Sequence, residues 1–252
     1  MAAVVSLAAC AGRAEPGART PEQLVVKVRA SFPHDPDAFT QGLVYHRGRL
    51  YESTGLNGRS SVRRVDPHSG RVEAQTALEP TFFGEGLARV GDQLWQLTWK
   101  DGRAFVWGLE DLQPVGQHRY PGEGWGLCFD GRRLVMSDGT SRLAFRDPTS
   151  FGRTGAVTVD HDGRPVRHLN ELECVGEAVY ANIWQEERIA RIDPDTGRVT
   201  AWIDASVLLT PEQRAGVDVL NGIAYVPERG TFFLTGKLWP RLFEVEFVPR
   251  AG

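Results

Sequence analysis

Short runs of alternating apolar and polar residues recur along the whole chain. Turns rich in Gly, Pro and Asp separate them, and no long apolar helical period interrupts them. The first run is Leu24 to Ala30. Next come Phe39-Thr-Gln41-Gly-Leu-Val-Tyr45, a turn at Arg47-Gly48, Leu50 to Gly55, and Ser61 to Val65, closed by Asp66-Pro-His-Ser-Gly70. This order of strand, turn, strand, loop, strand, turn returns four times. Its restarts are Glu85-Gly-Leu-Ala, Trp125-Gly-Leu-Cys, Asn170-Glu-Leu-Glu and Asn221-Gly-Ile-Ala. The residues that open the five units (Gln41, Glu85, Trp125, Asn170 and Asn221) are 44, 40, 45 and 51 positions apart. A period in the forties with several short strands per unit predicts the blades of a β-propeller. The expected fold is therefore all-β, a five-bladed propeller spanning residues 23–248. The last unit is one strand short, and the spare run Leu24 to Ala30 is expected to complete it. That closure would hide two open sheet edges.

The predicted ring places certain residues together. The first strand of each blade starts beside the central axis, and the antiparallel second strand ends on the same face. One mouth of the channel should then gather Gln41, Glu85, Trp125, Asn170 and Asn221 with Trp99, Lys100, Asp138, Trp184 and Lys237 from the second-strand ends. An acid, three Trp, several amides and two lysines in one concavity suit a ligand pocket better than a structural rim.

Composition narrows the class. The 252 residues are 41% hydrophobic and 24% charged with a net charge of −3, so nothing points to nucleic acid or an anionic surface as partner. No apolar run is long enough for a membrane-spanning helix. Lysine is scarce: Lys27, Lys100 and Lys237 stand among 29 basic residues. Met1 to Ala9 is small and apolar and ends in Leu7-Ala8-Ala9-Cys10, like the tail of a bacterial lipoprotein signal. Residues 1–22 are thus read as a leader and linker, with Cys10 a possible lipid anchor and a periplasmic or other extracytoplasmic location. A monomer is expected. Cys128 and Cys174 each follow a Leu in an apolar strand pattern, which predicts buried free thiols. A disulfide is the alternative in an exported chain.

The chemistry centres on Phe82-Phe83-Gly84-Glu85-Gly86-Leu87. Glycines on both sides leave the acid unshielded, and apolar rings beside a carboxylate raise its pKa and suit it to proton transfer. Glu52, Glu123, Glu171 and Glu173 are rival acids, and Asp138-Gly139 reads as a hairpin turn. Around Glu85 lie Phe39-Thr-Gln-Gly-Leu43, Leu97-Thr-Trp-Lys100, Gly122-Glu-Gly-Trp-Gly-Leu127, Leu169-Asn-Glu-Leu-Glu173, Ala181-Asn-Ile-Trp184, Leu220-Asn-Gly-Ile-Ala-Tyr225 and Thr235-Gly-Lys-Leu-Trp-Pro240.

Together these motifs resemble those of the plant-type glutaminyl-peptide cyclotransferases, a five-bladed propeller family also found in bacteria. The likeness touches every unit between Leu24 and Val248. It implies cyclisation of an N-terminal glutamine of a peptide or protein to pyroglutamate with release of ammonia, without metal or cofactor. It implies Glu85 as the catalytic acid, which can serve as base and acid in turn, and places Asn170 and Lys237 in the pocket; the chemistry needs a donor for the oxyanion, for which Lys237, Asn170 or Gln41 are candidates. Phe39, Gln41, Phe83, Trp99, Trp125 and Trp184 are implied as the substrate pocket, and Lys100 and Asn221 on the same rim are expected to bind substrate. Two other readings fit a mouth of this make-up. One is a lactonase-type hydrolase holding a metal on Glu85, Asn170 and Asn221. The other is a peptide-binding propeller without catalysis.

Overall fold

The computed structural model describes residues 20–250, all strand and turn without helix. The leader reading and Cys10 lie outside the described residues. Strand β1 (Glu22–Pro33) comes first. Blade one is β2 (Thr40–His46), β3 (Arg49–Thr54), β4 (Ser61–Val65) and β5 (Val72–Ala77). Blade two is β6 (Gly84–Val90), β7 (Gln93–Thr98), β8 (Arg103–Gly108) and β9 (Pro114–Arg119). Blade three is β10 (Leu127–Phe129), β11 (Leu134–Ser137), β12 (Arg142–Arg146) and β13 (Arg153–Thr158). A small ribbon, β14 (Asp160–His161) and β15 (Arg164–Pro165), precedes blade four. That blade is β16 (Leu169–Val175), β17 (Ala178–Ile183), β18 (Arg188–Ile192) and β19 (Val199–Asp204). The fifth is β20 (Leu220–Val226), β21 (Thr231–Gly236) and β22 (Arg241–Pro249).

Blade five is completed by β1, which runs antiparallel to β22 from Leu24–Pro249 to Pro33–Arg241. The same strand also pairs parallel with β19, Glu22 against Ala201 through Val25 against Asp204. This second pairing joins blades four and five into one sheet. The N-terminal strand thus seals the seam between them on both its edges.

Apolar alternation within each strand buries one cluster at each blade–blade contact. Leu43, Leu50, Ala224 and Phe233 fill the junction of blades five and one, and Tyr51, Val62, Leu87 and Leu94 that of one and two. Trp95, Leu97, Leu127 and Leu134 follow between two and three. Val135, Leu143, Leu172 and Val179 lie between three and four, and Ile189, Ile203, Ile223 and Leu234 between four and five.

Cys128 and Cys174 are not free thiols; they form a disulfide between blades three and four. Each occupies the same register of an innermost strand, one blade period apart, and adjacent inner strands bring their Cα atoms to 5.4 Å. The burial of Cys128 was readable from the sequence pattern, Cys174 is only half-buried, and the pairing depends on how neighbouring blades abut.

The inner strands share a further device. Pairing with the second strand slips between Thr40 and Gly42, Gly84 and Leu87, Leu169 and Leu172, and Leu220 and Ile223. In blade three the ladder begins only at Leu127, after Trp125-Gly126. These bulges release Gln41, Glu85, Asn170 and Asn221 from the ladder and re-aim them toward the axis. Glycine follows most of them because the inner strands converge there. A carbon added at Gly42 would lie 2.7 Å from Leu87 Cβ, and one at Gly86 2.5 Å from Leu127 N.

Candidate active site

At this mouth of the channel a cavity of about 490 Å³ opens between aromatic walls. Phe39, Phe83 and Trp99 form one side, with Phe83 edge-on to both neighbours at centroid distances of 6.1 and 5.6 Å. Trp125 and Trp184 form the other, crossed at 5.7 Å. Two glycines seat these rings. A carbon on Gly55 would meet Phe83 Cζ at 2.7 Å, and one on Gly139 would meet Trp125 Cζ2 at 2.7 Å. The turn at Asp138-Gly139 is thus also the floor under Trp125, while Asp138 caps the turn by accepting from Thr140 N.

Glu85 stands buried at the base of the cavity. Gln41 Nε2 donates to Glu85 Oε1 at 3.0 Å, and Asn221 Nδ2 donates to Gln41 Oε1 at 3.3 Å and to Thr40 O at 2.9 Å. The Glu85 backbone is fixed from behind, because Ser53 Oγ donates to its carbonyl and Gln96 Nε2 donates to Ser53 Oγ at 2.7 Å. Burial pushes the Glu85 carboxyl well above the usual carboxylate range; the Lys237 ammonium opposes the shift and the Glu123 charge adds to it. Lys237 lines the same cavity with Nζ 4.9 Å from the Phe39 ring centroid. Its own pKa is lowered by burial, against the pull of Glu85 and Asp218. A carboxyl of raised pKa, a buried ammonium and Asn170 thus line one aromatic-walled cavity.

Two rim residues are placed differently from expectation. Lys100 is exposed outside the cavity, with Nζ 3.9 Å over the Trp99 ring and 3.9 Å from Glu123 Oε1. It directly follows Trp99 in the bend beyond the end of β7, and its side chain folds back over the outer face of that indole. Asn221 is wholly buried beneath Gln41, so it braces the pocket floor instead of facing substrate. Three residues not foreseen line the cavity: Gln185, Asp218 and Val219. Asp218 and Val219 arrive through register, since Asp218 N donates to Lys237 O and Lys237 N to Val219 O, both at 3.0 Å. Gln185 follows Trp184 at a left-handed turn, φ 66°. No periodic signal marks such loop positions.

The rival acids are spent elsewhere. Glu52 is held below the usual carboxylate range despite its burial, by Arg63 and His34 beside it. Glu171 accepts from Leu43 N at 3.3 Å and Ile223 N at 2.9 Å, tying three inner strands together across the axis. Glu173 accepts from Tyr225 N at 2.8 Å, and burial pushes it up to about 8. Glu123 accepts from two pocket indoles.

Known proteins resemble this chain over most of its length. The family model described as glutamine cyclotransferase matches residues 1–247. The glutaminyl-peptide cyclotransferase of Arabidopsis thaliana is 46% identical over 226 residues, which cover 88% of this chain and 71% of the relative. The crystal structure of Myxococcus xanthus glutaminyl cyclase superposes with a TM-score of 0.84 at 43% identity, covering 92% of this chain and 100% of that one. Likeness of this degree runs through every blade that contributes to the cavity, and the chain accordingly belongs to the glutamine cyclotransferase family.

Proposed function

We propose that the cavity holds the N-terminal glutamine of a peptide and converts it to pyroglutamate with loss of ammonia. The observation that carries this is Glu85, buried with a raised pKa in an aromatic pocket shared with Lys237. The substrate α-amine has a pKa near 8 and attacks only as the free base. The ionised Glu85 carboxylate takes a proton from that nitrogen as it attacks the side-chain amide carbon and closes the five-membered ring. Lys237 and Asn170 donate to the resulting oxyanion. The carbon–nitrogen bond to the amide NH₂ then breaks while Glu85 returns the same proton to it, so that ammonia leaves and the carboxylate is restored. The aromatic walls hold the glutamine side chain folded and exclude the water that would hydrolyse the amide. The test is incubation with a Gln-initiated dipeptide. Ammonia and pyroglutamate are expected, and their absence with a folded enzyme would refute the assignment.

A metal-centred hydrolase would need Glu85, Asn170 and Asn221 to converge on one ion. Asn221 instead turns its amide to Thr40 and Gln41, and an ammonium shares the pocket. Among the described residues no group of three or more His, Cys, Asp or Glu is arranged to hold a metal. Activity is therefore expected to survive exhaustive EDTA treatment. A loss restored by Ca²⁺ or Zn²⁺ would favour the hydrolase.

The rest of the peptide leaves the pocket where its wall continues. A neighbouring cleft of about 360 Å³ shares Gln185, Asp218 and Val219 with the cavity and has Leu209, Val217 and Trp239 on its surface. Lengthening the substrate from dipeptide to tetrapeptide is expected to lower KM several-fold through added apolar burial. Equal KM values would place the exit elsewhere. An extracytoplasmic, monomeric enzyme, lipid-anchored at Cys10, completes the proposal. The disulfide supports the oxidising compartment.

A further inference from the structure

The two tryptophans that face each other across blades two and three are tied to one atom. Glu123 Oε2 accepts from Trp99 Nε1 at 2.8 Å and from Trp125 Nε1 at 3.0 Å. Glu123 itself does not line the cavity. Its segment is anchored by Gly124 N, which donates to Trp99 O at 2.9 Å, and a carbon on Gly124 would lie 3.0 Å from Thr98 O. The other carboxylate oxygen, Oε1, faces Lys100 Nζ at 3.9 Å, and that ammonium covers the outer face of Trp99. One carboxylate thus crosslinks two blades through two indoles of the cavity wall, with one exposed lysine on its outer side.

We propose that Glu123 is a positioning residue for the cyclisation: by holding both indole N–H groups it fixes the separation and tilt of the two walls, and with them the folded glutamine conformer that brings the α-amine onto its own side-chain amide. The proposal rests on the glutamine reading of the pocket. An indole freed of this bond rotates on its ring torsion, and a reacting geometry misplaced by about 1 Å costs on the order of 10²-fold in rate. Because Glu123 is 41% exposed in its side chain, the fold does not depend on it. It does not line the cavity: its hydrogen bonds reach the pocket through Trp99 and Trp125, and its charge acts on Glu85 only through space.

Substitutions at Glu123, Phe replacements of the two indoles and one spectrum test this. E123A is expected to lower kcat/KM by about 10- to 100-fold, mostly in kcat, while E123Q keeps an acceptor oxygen in place and restores most of the activity. In a Trp99→Phe, Trp125→Phe background, E123A is expected to add no further loss, since no indole N–H remains to hold. The indole N–H resonances of Trp99 and Trp125, assigned from the single Phe variants, should move in E123A and stay in E123Q. That readout needs no turnover, so it separates failure of the clamp from failure of the glutamine reading. Activity as low in E123Q as in E123A would overturn the proposal. Both variants also remove a charge that raises Glu85, which Lys237 continues to face, so the acid limb should shift down in both and their activities are compared on the plateau above it. An additive loss in the Phe background, or unmoved resonances in E123A, would equally overturn it.

Discussion

Glu85→Gln is expected to abolish ammonia release while leaving the propeller at least as stable as the parent at neutral pH. The kinetic half follows from proton traffic. An amide can neither accept the proton of the attacking amine nor return it to the leaving group, and general acid–base catalysis is worth roughly 10²–10⁴-fold. The stability half follows from burial. The folded Glu85 carboxyl titrates above the ordinary carboxylate range, chiefly because it is desolvated. The unfolded chain gives up that proton first, near pH 4.3. Glu85 therefore subtracts stability progressively as pH rises from there through its folded value, and Gln has no such cost. Gln also keeps a carbonyl oxygen where Gln41 Nε2 donates. Thermal unfolding at several pH values, together with ammonia assays, checks both halves. Near-parental turnover by a folded variant would remove Glu85 from the mechanism.

Lys237→Ala is expected to cut kcat by about 10²–10³-fold, the usual cost of losing one oxyanion donor. A charge that matters mainly in the transition state appears in kcat. Lys237→Arg should fall between, since guanidinium keeps the charge but is planar and bulkier in a pocket closed by Phe39. Loss of the ammonium also removes the cation that holds Glu85 down. The acid limb of kcat/KM, which reports ionisation of Glu85, should then move to higher pH in the Ala variant. Lys27, on the closing strand opposite Glu246, should tolerate Arg without effect. A rise in KM alone would make Lys237 a binding residue, and no change at all would exclude it from the site.

Much of this architecture was legible in the chain itself. Strand alternation is set by adjacent residues, and the repeat from Gln41 to Asn221 fixed five blades and the face on which they open. The short fifth unit announced the closing strand. Glu85 between its glycines stood out because bare neighbours expose an acid wherever the chain is placed. Tertiary register decided the rest. Whether a rim residue enters the cavity depends on the bulge and on the next strand's approach, which sends Asn221 under Gln41 and leaves Lys100 outside Trp99. Asp218 and Val219 reach the pocket only through their pairing with Lys237. The bond between Cys128 and Cys174, and the single carboxylate oxygen of Glu123 between two indoles, require two blades to meet at a distance of a few ångströms. No pattern within either blade encodes that distance, because it is set by the side chains packed between them.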